Sequence, residues 1–408
     1  MNQSFWPDVV ATAQQAHDLA IYLAARGDQI TVVASRSMYG KPGATLKPTE
    51  NSGGIQIWRV SRNLFQKRGL LKRSIDYIRF NIACLLKCLL LPRQDVVICL
   101  TTPPFIAVVG AIVKALRGSK LVLWSMDLYP DLPVQAGIIE KDGPFHRVLR
   151  RLDLLCLRRA DRVVVLGACM RDRMIAKGLP PDSIEIIHPW SDPIEIQETP
   201  ICGSALRNTY RTEWGIGDRF AIQYSGNYGL GHDVDTVSRM MLALKDDDLI
   251  RWVIVGDGIM KPVIEAFVRK HDIRNVLLQP YQPRSRLGPL IALGDVHLVL
   301  MLPGYEGIIL PSKFYGVLAA GRPTIFVGPA GSEVAKVIRE QDCGFVIANG
   351  DVDHFASVLR ALRADRARAA EIGHRGRRAL EQRYSMQRAC ARWHALLHEV
   401  SSRPTMSP

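Results

Sequence analysis

Several things are missing from this 408-residue chain, and each absence removes a class of protein. No C-x-x-C pair occurs among its eight cysteines, at 84, 88, 99, 156, 169, 202, 343 and 390. Most lie inside apolar runs, so they read as reduced core cysteine in a cytosolic protein, not as a disulfide framework or a zinc knuckle. The opening residues, MNQSFWPD, contain no basic segment followed by an apolar one, so no signal peptide is expected. No apolar run reaches the ~18 uninterrupted residues of a spanning helix. The most apolar stretch, IACLLKCLLLPRQDVVICL (82–100), is broken by Lys87, Pro92, Arg93 and Asp95. Acidic residues are also short. The 39 Asp and Glu face 53 Lys and Arg, a formal net charge of +14. That excess fits an anionic partner such as a nucleic acid, an acidic membrane surface or a phosphorylated substrate, although solubility charge spread over the surface would look the same.

What is present is a regular alternation. Hydrophobic residues make up 48% of the chain, enough for a sizeable core in two or three domains. In the first half, QITVVA (29–34), DVVICL (95–100), KLVLW (120–124), RVVVL (162–166) and SIEII (183–187) read as buried strands. Helical spacing falls between them, at 12–27, 105–118 and 145–160. HPWSDPIEIQETPICG (188–203) has no period and reads as a linker. The alternation restarts with FAIQYSG (220–226), RWVIVGDG (251–258), NVLLQ (275–279), DVHLVLM (295–301), TIFVG (324–328) and GFVIA (344–348). Strand–helix alternation of this kind predicts an α/β fold of two doubly wound halves with parallel sheets. The tail SSRPTMSP (401–408) is expected to be disordered. A doubly wound domain normally opens with a strand, whereas MNQSFWPDVVA reads as the loop after one. Either the start codon lies upstream or the first half lacks a central strand, which would leave an edge in its sheet.

Ligands of open α/β sheets bind beyond the carboxyl ends of strands. Three such loops carry candidate residues. In GNYGLGHDVDTV, Gly226, Gly229 and Gly231 can expose backbone N–H groups and Asp233 can cap the next helix, the mechanics of a phosphate cradle. The spacing is neither G-x-G-x-x-G nor the P-loop pattern, and an ordinary Gly-rich loop is the competing reading. GDGIMK, with Gly256, Asp257, Gly258 and Lys261, also follows a strand and opens a helix. The third is GIILPSKFYGVLAAGRPTIFVG (307–328), where Ser312 and Lys313 stand at the mouth of a small-residue helix. A cation at a positive helix end suggests an anion between them.

These blocks resemble a GT-B glycosyltransferase of family four, the large retaining class that includes bacterial exopolysaccharide and O-antigen enzymes. The resemblance covers nearly the whole chain. It rests on SFWPDVVATAQQAHDLAIYLAARG, WSMDLYPD (124–131), YSGNYGLGHDVDT (224–236), VGDG (255–258) and LPSKFYGVLAAGRP (310–323). The subgroup most resembled is that of the colanic-acid and N-acetylfucosaminyl transferases. The resemblance implies two Rossmann-like domains facing a cleft: an acceptor domain over 1–190, a donor domain over 191–385, and a terminal helix and tail over 386–408 packing back on the first domain. Gly226, Asn227 and Gly229 would face the diphosphate and sugar of a nucleotide-sugar donor, UDP-linked in the first instance. Lys313 with Ser312 would meet the leaving diphosphate, and QPYQPR (279–284), with Tyr281, would line the base. Gly258 and Lys261 would complete the donor site, and His232 could touch phosphate or hold the helix start. No cofactor and no metal are implied.

Two positions depart from the family. Its Glu-x7-Glu pair falls here on Ile308 and Gly316, with Glu306 two residues out of register. Where many members carry a His before the first domain's Asp, this chain has Met126 and then Asp127. Asp127 is carried over as the polar acceptor-side residue, against the alternative of a turn or cap Asp. The D-x-D in Asp246-Asp247-Asp248 precedes a strand and reads as a solvated turn. His394 and His398 are spaced i, i+4 without the Glu of a metalloprotease helix. The segment 64–93 interleaves apolar residues with Lys67, Arg68, Lys72, Arg73 and Arg79. It can lie on an anionic bilayer or be a core helix with a solvated basic face. Because lipid-linked acceptors reside in membranes, the expected location is cytoplasmic and peripheral on the inner face of the cell membrane. The expected acceptor is a polyprenyl-pyrophosphate-linked or other glycan, and no nucleic acid is expected, since Phe65, Tyr77 and Phe80 are few aromatics for stacking bases. The rivals are a UDP-sugar 2-epimerase, which would need carboxylates around the cradle, and an inactive paralogue.

Overall fold

The computed structural model describes residues 1–8, 10–38, 41–64, 70–191 and 208–402. It separates into two compact units: Met1–His188 with Gly307–Ile309 and Gln387–Pro408, and Pro189–Glu306 with Leu310–Met386. Most of the supposed linker, Lys67 and Arg68 of the basic segment, Cys202 and residues 403–408 fall outside the described residues.

The first unit contains strands β1 (Ile30–Ser35), β2 (Ser37–Met38), β3 (Lys41–Thr45), β4 (Thr49–Ser52), β5 (Ile55–Val60), β6 (Val96–Cys99), β7 (Lys120–Ser125), β8 (Arg162–Val165) and β9 (Ile184–Ile186). Its helices are α1 (Ala11–Ala24), α2 (Leu70–Leu90), α3 (Ile106–Arg117), α4 (Asp131–Gln135), α5 (Pro144–Arg159) and α6 (Ala168–Ala176). One sheet has the order β1-β5-β4 and a second, all parallel, the order β6-β7-β8-β9. Between them lie the first residues of the chain. Met1 donates its amino N–H to Ile98 O at 2.6 Å, and its carbonyl accepts from Leu100 N–H at 3.1 Å. On the other side Asn2 N–H reaches Val33 O at 3.3 Å, and Gln3 O accepts from Ser35 N–H at 2.9 Å. Met1–Gln3 therefore occupies one end of a strand position between β1 and β6. These residues pair on both sides, as a strand there would.

The expected strands are all found, but β2–β5 are additional. In β5, IQIWRV is alternately buried and exposed at its start, the period-2 pattern of a half-covered strand. It pairs parallel with β1, while β4 runs antiparallel along its outer side. The parallel pairing expected of the first half holds for the β1 and β5 pair and for β6 to β9, and β4 adds an antiparallel edge.

The second unit contains α7 (Thr209–Glu213), β10 (Phe220–Asn227), α8 (Val234–Ala243), β11 (Ile250–Asp257), α9 (Lys261–Lys270), β12 (Val276–Gln279), α10 (Leu287–Ala292), β13 (Val296–Leu300), α11 (Lys313–Ala319), β14 (Thr324–Val327), α12 (Glu333–Gln341), β15 (Gly344–Ile347), α13 (Val352–Ala364) and α14 (Arg366–Ala379). Its six strands are all parallel, in the order β12-β11-β10-β13-β14-β15. Counted along the unit this is 3-2-1-4-5-6, with the topological switch between β10 and β13. The first five residues of β10 and all of β13 are buried, as strands covered on both faces must be. Side-chain caps set the helix starts: Asp233 Oδ1 accepts from Thr236 N–H, Ser332 Oγ from Ala335 N–H and Asp351 Oδ1 from His354 N–H.

Helix α15 (Met386–Ser402) contributes most of its length to the first unit. Trp393, fully buried, packs on Trp124 of β7 with ring centroids 4.7 Å apart. Truncating such a side chain to Ala typically costs about 3–5 kcal/mol. Ser401 and Ser402 end this helix, so the first two residues of the expected disordered tail are ordered. The seven described cysteines are free, as their apolar settings suggested.

Candidate functional site

In the second unit the chain leaves β10 at the switch point through Gly226 and Asn227. Gly226 has φ +141°, which a side chain rarely adopts. A Cβ there would also sit 3.2 Å from Lys313 Nζ, so the glycine makes room for that amine. Two neighbouring glycines let the turns lock together. A Cβ on Gly256 would overlap the Gly226 carbonyl, and one on Gly258 would lie 2.5 Å from the Tyr228 backbone. Tyr228 N–H donates to Asp257 O at 2.9 Å, and its carbonyl accepts from Met260 N–H at 3.1 Å. The GNYG and GDG loops thus form one interlocked rim.

Lys313 opens α11, and its preceding residue Ser312 makes no side-chain cap. The Nζ is enclosed and has no hydrogen-bond partner among the described residues. It stands 3.4 Å above the ring centroid of Tyr224, whose own hydroxyl donates to Asn227 O at 2.8 Å. Burial without a counter-charge pushes the Lys313 pKa well below its usual value. His232 lies on the same rim. Its Nδ1 lies 3.0 Å from Gly229 N and 3.1 Å from Gly229 O, so it accepts from the one or donates to the other according to the tautomer. Burial, and secondarily the nearby Lys313, lower its pKa to about 3, so this imidazole is neutral. An enclosed, unpartnered amine and a neutral imidazole beside a side-chain-free turn are suited to an anionic ligand that brings its own charge.

The structure thus brings together Gly226, Asn227, Gly229, His232 and Lys313, with Gly258 against Tyr228. Lys261 Nζ lies 3.8 Å from Glu265, one turn along α9. Tyr281 follows β12 and is 46% exposed. Glu306 and Ser312 are half-buried. At the two positions in register with the family's carboxylates, Ile308 is buried and Gly316 sits inside α11. Sequence reasoning does not single out Tyr224; its only sign is the period of β10, which points it to the same side as Gly226. Asp247 pairs with Arg363 and accepts from Leu249 N–H, the structural turn expected of that D-x-D.

In the first unit, Asp127 follows β7 and its N–H donates to Thr101 Oγ1 at 3.4 Å. It lines a cavity of about 50 Å³ with Thr101, Ser125, Tyr129, Asp153 and Lys177. Burial raises its pKa to about 6, in the range where a carboxyl can exchange protons near neutrality. Beside it Lys177 Nζ binds Asp131 at 2.6 Å and Asp153 at 2.9 Å. Burial disfavours the Lys177 charge, but the two carboxylates outweigh it and its pKa rises. Nothing in the sequence links these three residues, which lie on three different helices or their ends.

A Rossmann-ordered unit with this rim, in series with a second parallel-sheet unit, is the GT-B class. Solved structures agree on the fold. Sucrose-phosphate synthase from Thermosynechococcus elongatus matches with a TM-score of 0.75 at 14% identity, over 95% of this chain and 93% of that one. Anabaena Alr3699/HepE, solved in complex with UDP-glucose, matches at 0.71 and 13% identity, over 98% of both chains. The chain belongs to the glycosyltransferases: residues 11–190 match the glycosyl transferase 4-like domain and residues 221–365 the glycosyl transferases group 1. Among relatives, the "Putative colanic acid biosynthesis glycosyl transferase WcaI" of Escherichia coli K12 is 24% identical over 82% of this chain and 84% of its own length. The "Probable glycosyltransferase WbjE" of Pseudomonas aeruginosa is 27% identical over 85% and 84%.

Proposed function

We propose that this glycosyltransferase moves a hexosyl or N-acetylhexosaminyl group from a nucleoside diphosphate, UDP in the first instance, with retained anomeric configuration. The acceptor is a lipid-linked or free glycan of cell-surface polysaccharide synthesis. The observation that carries the donor reading is the enclosed Lys313 amine beside Gly226, without a hydrogen-bond partner among the described residues. The relative named for colanic acid biosynthesis and the neighbour solved with UDP-glucose support the same direction.

In this reading unit two holds the donor and unit one the acceptor. The bond from the sugar C1 to the diphosphate oxygen breaks as the acceptor oxygen bonds to C1 on the same face. The acceptor's hydroxyl proton passes to the leaving phosphate. No enzyme nucleophile is required. Lys313, Ser312, the His232 imidazole and the Gly226, Asn227 and Gly229 groups stabilise the charge that grows on the diphosphate, the arrangement such a step needs. Gly258 shapes the rim, Tyr281 and Lys261 flank the nucleotide, and Glu306 contacts the ribose in place of the carboxylate lost at Gly316. Asp127 orients the acceptor hydroxyl.

Peripheral attachment to an anionic membrane, on its cytoplasmic side, belongs to the same proposal. Along α2, Ile75, Ile78, Ile82, Leu86 and Leu90 are exposed by 39–81%, at steps of three or four residues. Such a stripe on one helix face, with Lys72, Arg73 and Arg79 around it, suits a headgroup layer. No described helix is long and apolar enough to cross a membrane.

Thermal stability with UDP, GDP, dTDP and ADP tests the donor site, against phosphate and RNA controls. Saturation at ~100 times Kd adds ~2.7 kcal/mol to the bound fold. Selective stabilisation by UDP, lost in Lys313→Ala, is the expected result. Selective stabilisation by another diphosphate replaces UDP in the reading. No shift with any of them removes the donor site and leaves an inactive paralogue, which the missing carboxylates at 308 and 316 would then explain.

A further inference from the structure

Far from the donor rim, three metal-ligating side chains from opposite ends of the sequence converge in the first unit. His394 and His398 stand one turn apart on the same face of α15, and Asp28 reaches them from the turn that ends α1. The two imidazole Nε2 atoms are 3.1 Å apart. The Asp28 oxygens lie 3.8 Å from His394 Nε2 and 3.7 Å from His398 Nε2. At that separation one ring N–H meets the lone pair of the other ring; a cation taking the place of that proton would receive both lone pairs, with the Asp28 carboxylate beside it.

We propose that Asp28, His394 and His398 bind a divalent transition-metal ion, of the Zn2+, Ni2+ or Co2+ kind. The donor chemistry selects that class: imidazole favours these borderline cations, whereas Mg2+ and Ca2+ want shells of oxygen. The spacing agrees. A tetrahedral Zn2+ with bonds of ~2.0–2.1 Å separates its ligand atoms by ~3.3–3.4 Å; one ligand atom from each of the three residues lies within 4.8 Å of the others, so small side-chain rotations bring them to that spacing. The remaining position opens to solvent, since the His398 side chain is 59% exposed.

The frame around the triad is already rigid. Trp393, next to His394, is locked on Trp124. Arg392 binds Glu185 at 2.6 Å, and Glu399 binds Arg162 at 3.0 Å. On the other side Asp28 N–H donates to Leu23 O at 3.3 Å. A bound ion clips the C-terminal helix to the first helix of its own unit. Its role is structural, separate from sugar transfer, and it goes beyond the donor reading without resting on it.

The test uses full-length protein freed of any affinity tag and of metal. Titration calorimetry with Zn2+, Ni2+ and Mg2+ is run on wild type, His394→Ala, His398→Ala and Asp28→Asn, with melting curves in parallel. One equivalent of Zn2+ or Ni2+ per chain, a raised Tm on binding, and no response to Mg2+ are expected. Each His variant should lose affinity by more than the ~10–100-fold that removing a supporting partner costs. The exposed His398→Ala keeps the fold, as its metal-free Tm will report. Equal Zn2+ binding in both His variants would assign the metal to cysteines and overturn the site. Absent binding would overturn it as well. Binding without a rise in Tm would overturn the clip, and equal binding of Mg2+ the metal class.

Discussion

Replacing Lys313 by Met keeps most of the side chain's length and its apolar stem and removes one nitrogen. That nitrogen is enclosed and unpartnered among the described residues. A buried polar group in this state costs roughly 1–3 kcal/mol. Its contact with the Tyr224 ring at 3.4 Å offsets part of this, by ~0.5–2 kcal/mol when the amine is charged, but burial holds the amine toward neutrality. Lys313→Met should therefore stabilise the fold by about 1–2 kcal/mol, a rise in Tm of ~2–8 °C for a unit of this size. The same substitution removes the cation aimed at the leaving diphosphate and should lower kcat by ~10²–10³-fold. The pH dependence has a definite sign. Because the folded pKa lies well below 10.5, the unfolded chain holds a proton that the folded chain has released. Wild-type stability then rises with pH toward 10.5, and the advantage of the Met variant shrinks over that window. Calorimetric melts and a UDP-release assay on both proteins decide the matter. A variant that melts lower, or one that turns over at the wild-type rate, would refute the reasoning.

Further outcomes follow from the same geometry. Because burial lowers the Lys313 pKa and a bound diphosphate would raise it again, UDP binding should be coupled to proton uptake by this amine, seen as a binding enthalpy that changes with buffer ionisation heat; Lys313→Met should lack that contribution. Gly258→Ala should destabilise by more than about 2 kcal/mol in urea melts, because its Cβ would lie 2.5 Å from the Tyr228 backbone at φ +149°. Asp127 is protonated in the folded state up to about pH 6 and in the unfolded state only to about 3.8, so wild-type stability falls as pH rises through that window; Asp127→Asn should be flat there while losing acceptor affinity. Ile78→Asp combined with Ile82→Asp should abolish co-sedimentation with phosphatidylglycerol vesicles and spare turnover of a water-soluble acceptor; retained sedimentation would remove the α2 face from the membrane proposal.

Much of the fold was legible because buried parallel strands leave long apolar runs and their helices leave a 3.6-residue period. FAIQYSG, RWVIVGDG and DVHLVLM are strands where those runs predict them. The segment from Ser37 to Val60 was not legible. Its strands are short, half-exposed and partly antiparallel, so their signal is a weak alternation easily lost among Gly, Pro and Ser. The first residues show the converse. MNQSFWPDVVA reads as a loop, and only the hydrogen bonds of Met1–Gln3 to the flanks of β1 and β6 show that its first residues pair as a strand would.

The candidate donor residues divide in the same way. GNYG, GDG and PSK are visible as glycine and lysine at strand ends, because those residue types are demanded by local backbone geometry. That Gly226 yields its side-chain space to Lys313, nearly ninety positions away, depends on the strand order that places β10 beside β13. Tyr224 as the platform beneath the amine, and the Lys177 bridge between Asp131 and Asp153, depend on it or on the corresponding packing in the first unit.

The sequence by itself determined the class of fold and the residue types at its loops, since periodicity, turns and glycine requirements act over a few residues. Only the tertiary structure decided which distant groups meet: an amine beside a glycine, with no hydrogen-bond partner among the described residues, and two histidines of the last helix joined by an aspartate of the first turn. Such meetings arise from sheet order and helix packing, which bring together residues that no local pattern connects.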